Sequence, residues 1–93
     1  MHMTAPTTEL SDTELATIQS SKVVDARGSA CPGPLLEAKK SISGVAVGSV
    51  IEIWSSDPAT KTDIGAWSRK VGHTYLGTIP AEGYERTFVV RQK

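Results

Sequence analysis

"SVIEIWSSDPATKTDIGAWSRKVG", residues 49–72, changes its period halfway along. Its first part packs Val50, Ile51, Ile53 and Trp54 between Gly48 and Asp57-Pro58. β-Branched and aromatic residues bounded by breakers predict a strand over residues 49–55. From Asp57 the spacing becomes helical. Asp57 suits an N-cap and Pro58 the first helical position. Ile64, Trp67 and Val71 fall on one apolar stripe. Asp63 lies early and Arg69 and Lys70 lie in the last turn, which suits the helix dipole. Gly72 is the stop signal. Gly65, inside the helix, is a weakness of up to about 1 kcal/mol against Ala.

The same strand–helix unit precedes this stretch. "KVVDA" (22–26) reads as a strand and "RGSACPG" as a connecting loop. A helix then starts at Pro34, with Leu35, Ala38 and Ile42 on one face and Gly44 at its end. Two strands follow, "HTYLGTI" and "YERTFVVRQ", joined by a turn at residues 80–83. The predicted order is β-α-β-α-β-β. Strands alternating with helices need crossovers, and right-handed crossovers place both helices on one side. The final hairpin adds an antiparallel pair. The fold class is therefore α/β (α+β): a two-layer sandwich, with two helices on one face of a mixed four-stranded sheet. Ile51 and Ile53 share one face of their strand, and Trp54 lies on the other with Val50 and Glu52. Trp54 then marks an open docking face, unless the N-terminal segment covers it or the strand faces the other way.

Residues 1–21 form an N-terminal extension, expected to be flexible at its start. Ser11-x-x-Glu14 is a capping box with Leu10 and Leu15 at staple positions, which predicts a short helix over residues 12–19. Residues 22–93 make up the domain. A domain in a 93-residue chain is only marginally self-sufficient. The single cysteine rules out an internal disulfide, and an unpaired thiol fits a reducing compartment. No apolar run approaches the roughly 20 residues that span a bilayer. The start of the chain lacks the basic and apolar regions of a signal peptide. A cytoplasmic protein with no membrane contact is expected. The chain has no net charge. Glu9, Asp12 and Glu14 lie in the extension, leaving the domain ten basic against seven acidic residues. That excess is too small for a dedicated nucleic-acid binder, so no direct nucleic-acid contact is expected.

Cys31 has an unusual setting, after a strand and directly before Pro32, Gly33 and Pro34. A residue before proline is driven towards extended backbone, so Cys31 is expected outside the helix, at its cap. Free amides and the positive end of the dipole favour an anionic sulfur there. Gly33 permits a close backbone approach or an unusual turn, and Arg27 could add positive charge. A bland alternative is a small buried hydrophobe. Disulfide exchange of the Cys-x-x-Cys type is excluded, since Pro34 holds the fourth position. A cysteine hydrolase needs a histidine base. The candidates are His2, near the terminus, and His73, which has no evident orienting partner. No second cysteine or paired histidine offers metal spacing, so neither metal nor cofactor is expected. One accessible thiolate can still hold a transferable group such as a persulfide.

"DARGSACPGPLLEAKKSI", "GSVIEIWSSDPATKTDI" and Gly72-His73 resemble the TusA/SirA-like sulfur-carrier family, marked by Cys-Pro-x-Pro at the first helix. The resemblance covers about residues 22–92. It implies the sandwich already described, with Cys31 as persulfide acceptor and Arg27, Gly28, Pro32, Gly33 and Pro34 in support. It implies a sulfur donor (a cysteine desulfurase or a rhodanese-like protein) and an acceptor sulfurtransferase, DsrE-like or heterodisulfide-reductase-like. The pathways implied are tRNA thiolation or sulfur oxidation, where the carried group extends to thiosulfonate. The role is that of a non-enzymatic carrier, a co-substrate more than a catalyst. Some relatives have a further cysteine on the second helix, where this chain has Ser68. The alternative is a regulatory or protein-interaction module using the open sheet face.

Overall fold

The computed structural model describes residues 10–30 and 32–93. Expectations for the first nine residues, for His2 and for the backbone at Cys31 lie outside the described residues. The elements are α1 (Asp12–Ala16), β1 (Lys22–Asp25), α2 (Gly33–Ile42), β2 (Val50–Ser55), α3 (Thr60–Val71), β3 (Thr74–Ala81) and β4 (Tyr84–Val90). They build one four-stranded sheet in the order β1-β2-β4-β3. β1 and β2, joined through α2, run parallel, and β4 is antiparallel to both its neighbours. The second crossover skips one place, and β4 returns into the gap. The sheet is mixed, with α2 and α3 on one face, as the pattern predicts.

Ile51 and Ile53 point to the helices. They form the main core with Val24, Ala38, Ile42, Ile64 and Val89. α3 begins later than its sequence suggests. Asp57 and Pro58 form a separate turn, in which Asp57 Oδ1 accepts the Ala59 N–H at 2.9 Å and the Asp57 carbonyl accepts the Thr60 N–H at 3.0 Å. Ser55 and Thr60 hydroxyls meet at 2.6 Å inside the protein. That buried bond fixes Thr60, rather than Pro58, as the start of α3. The apolar stripe also ends early. Ile64 is buried and Trp67 partly so, but Val71 is 39% exposed. Ser68 takes the inward place, its hydroxyl donating to the Ile64 carbonyl at 2.7 Å.

The opposite sheet face is partly covered. α1 forms with the capping box expected of Ser11 and Glu14, but stops at Ala16 rather than residue 19. Leu15, 1% exposed, packs on Ile79 and Phe88 with Leu10, Ile18, Val50 and Leu76 around them. The segment is tied down at both ends: Leu10 N–H to the Leu76 carbonyl at 2.7 Å, and Ser21 N–H to the Val50 carbonyl at 2.8 Å. β3 makes room for it. The register shifts between Tyr75 and Gly77, and Gly77 sits at φ +139. A Cβ there would lie 2.9 Å from Leu15 Cδ1 and would be strained at this φ, so the position favours glycine.

Candidate functional site

The loop from β1 to α2 lies at the C-terminal ends of β1 and β2. Ala26 prolongs the strand by donating to the Trp54 carbonyl at 2.9 Å. The chain then turns, with the Ser29 N–H returning to the Ala26 carbonyl at 3.2 Å. Gly28, at φ +87, occupies the turn position that disfavours side chains, and it faces open space. Gly33 donates back to the Ala30 carbonyl at 2.8 Å and opens α2. A Cβ on Gly33 would stand 3.1 Å from Ser29 Cβ, so the two ends of the loop touch here.

The two prolines differ. Pro32, the N-cap of α2, is exposed with φ −96 and ψ 17. Pro34 is among the fully buried side chains and plugs the first turn of α2 into the core. Pro32 and Pro34 have no N–H, and Gly33's is already used. The mouth of α2 therefore offers fewer free amides than a helix start normally does. Among described residues, what favours an anion here is the helix axis itself.

Arg27 is committed elsewhere. Its Nε and Nη2 donate to the two carboxylate oxygens of Asp25 at 2.8 and 2.7 Å. These bonds hold the Asp25 carboxyl down to about 2 and raise the arginine further. Its guanidinium carbon lies 4.9 Å from the centroids of both Trp54 and Tyr84. Trp54 is on the face away from α2 and α3, half-buried beneath these neighbours, so that face is not open along its length. Sequence reasoning missed Asp25, Trp54 and Tyr84 as partners of the loop. Asp25 is a local partner, two residues before Arg27, whereas Trp54 and Tyr84 reach the loop only through the register that puts Asp25 beside Trp54 and β4 beside β2.

A shallow groove of about 360 Å³ runs beside the loop, between Gly28–Ala30 on one side and Ser56–Pro58 on the other. A larger one, about 440 Å³, follows the outer edge of β1 to the far end of α2. His73 lies at the opposite end of the sheet from the loop. Its Nδ1 accepts the Gln92 N–H at 3.1 Å and its ring meets Trp67 edge-on. Burial and the nearby Arg91 and Lys93 lower its pKa, as befits a neutral acceptor. Among the described residues, no group of His, Cys, Asp or Glu could hold a metal, and no helix is long and apolar enough to cross a membrane.

These features define a small two-layer α/β domain with a single cysteine in a proline-bounded loop before a helix. Residues 22–92 match the family model described as "Sulfurtransferase TusA", and the chain belongs to that family. It is 46% identical over 71 residues to a protein of Archaeoglobus fulgidus named "Putative sulfur carrier protein", covering 76% of this chain and 97% of the relative. It is 29% identical over 69 residues to the "Sulfur carrier protein TusA" of Allochromatium vinosum, 74% and 90% covered. The crystal structure of a SirA-like protein from Desulfitobacterium hafniense superposes with TM-score 0.68 at 19% identity, over 77% of this chain and 99% of that one, and shows the shared fold.

Proposed function

We propose that this protein is a sulfur carrier in which Cys31 receives sulfur as a persulfide and passes it to a second protein. The observation that carries the reading is the family membership of residues 22–92 around a sole cysteine in the α2 loop. The Cys31 thiolate attacks the outer sulfur of a donor persulfide. A new S–S bond forms, the donor's S–S bond breaks, and the donor thiolate leaves. An acceptor thiolate then repeats the exchange on Cys31. Each step conserves charge and oxidation state, so no redox cofactor is needed. The donor is a cysteine desulfurase or a rhodanese-like protein, and the acceptor a sulfurtransferase.

Arg27, Gly28, Pro32, Gly33 and Pro34 shape the loop rather than do chemistry. Ser68 is buried where some relatives carry a second thiol, which supports a relay through one sulfur. The test is intact-mass analysis after incubation with a desulfurase and cysteine, or with a rhodanese and thiosulfate. Wild type gains about 32 Da per sulfur. Equal uptake by Cys31→Ser would sink the assignment.

A further inference from the structure

Arg27 stands four residues before Cys31, where its sequence position suggests one task, adding positive charge near the thiol. Its contacts suggest another. The side chain meets both oxygens of Asp25, and its backbone N–H reaches the same Oδ1 at 3.2 Å. The guanidinium lies 4.9 Å from each of two rings, Trp54 on β2 and Tyr84 on β4, which are themselves 5.2 Å apart. Trp54 is held in turn, its Nε1 donating to Glu52. One side chain thus ties the start of the loop to three strands. The next three residues are held by two backbone bonds, from the Ser29 N–H to the Ala26 carbonyl and from the Gly33 N–H to the Ala30 carbonyl. Gly28, Ser29 and Ala30 are all exposed, and Gly28 has open space around it.

We infer that Arg27 is a positioning residue for sulfur transfer: it fixes residues 28–30, and so the point from which Cys31 is offered, through its planar fork and flat face rather than its net charge. The inference rests on the sulfur-carrier reading. A guanidinium whose charge is matched by a carboxylate at 2.7 Å has little net field to lend. What it has is shape, which lysine cannot reproduce. The side chain is 45% exposed, so its replacement leaves the core intact.

The experiment compares Arg27→Lys, Arg27→Gln and Asp25→Asn with wild type in three measurements. These are the rate of sulfur transfer from a loaded desulfurase to Cys31, the pH profile of Cys31 alkylation by iodoacetamide, and amide exchange along the chain. All three variants are expected to transfer sulfur more slowly by roughly tenfold, since small misplacements cost rate. Lys is expected to fail as Gln does, the alkylation midpoint to stay at the wild-type value, and exchange to quicken at residues 28–30 alone. Full rescue by Lys, a midpoint that rises in Arg27→Gln or falls in Asp25→Asn, or unchanged transfer and exchange in all three would overturn the inference. A wild-type Cys31 that takes sulfur from no donor would defeat the carrier reading instead. Amide exchange would still decide whether Arg27 holds the loop.

Discussion

A carboxylate at 4% exposure is costly unless its oxygens are partnered, and Glu52 has three partners. Ser20 Oγ donates to Oε1 at 2.7 Å, while Trp54 Nε1 and Arg86 Nε share Oε2. Burial alone would raise the Glu52 pKa. The bonds from Arg86, Trp54 and Ser20 outweigh it and leave the pKa lowered. A lowered folded-state value means that the stabilisation is complete above the ordinary value of 4.5 and is lost as pH falls through the folded one. Urea titrations should therefore show wild type losing stability below that value, with Glu52→Gln flatter over the same window. Asp25, held down to about 2 by Arg27, adds its own loss lower in the acid range. At neutral pH, Glu52→Gln should cost about 2 kcal/mol, the worth of charge-assisted bonds with little solvent screening. Equal stabilities at pH 7 would mean that Arg86 finds another partner.

The short α1 shows at the level of elements what sequence carries and what it conceals. Its capping box was legible because Ser11 and Glu14 are three residues apart, and the structure has both reciprocal bonds, at 2.9 and 3.3 Å. Its docking site was not legible, because the fit is between Leu15 and Gly77, on separate elements. Strand periodicity likewise places Ile51 and Ile53 towards the helices, whereas Arg27's stacking on Trp54 and Tyr84 depends on strand order, which no local pattern encodes. The Leu15–Gly77 fit predicts coupling. Leu15→Ala should cost about 2–3 kcal/mol, as buried leucine truncations do. Gly77→Ala should also destabilise, since its Cβ meets Leu15 and its φ is unfavourable to any side chain. In the double variant the clash is gone and only the backbone strain remains, so the two costs should sum to more than the measured total. Strict additivity in chemical denaturation would show that Leu15 and Gly77 do not share a site.

For the whole molecule, the family match beginning at residue 22 and the packing of residues 10–20 pull in different directions. The match argues that the sandwich is complete without the extension, since α2, α3 and the sheet enclose the main core by themselves. The packing argues that the extension stabilises that sandwich, since Leu15 closes a second cluster over Ile79 and Phe88. Both hold if the extension is a cover on a fold that forms independently. A chain beginning at Ser21 should then keep the far-ultraviolet spectrum of an α/β protein. Its melting temperature should fall by roughly 10 °C or more, because in a domain of this size each kcal/mol is worth several degrees. It should also bind an apolar dye and self-associate at high concentration, since Val50, Leu76, Ile79 and Phe88 become one exposed patch. Loading of Cys31 should survive, because the loop and α2 lie outside that cluster. A truncated chain that melts with the full one and stays monomeric would show that the cover adds nothing. One that fails to fold would show that the second cluster belongs to the core.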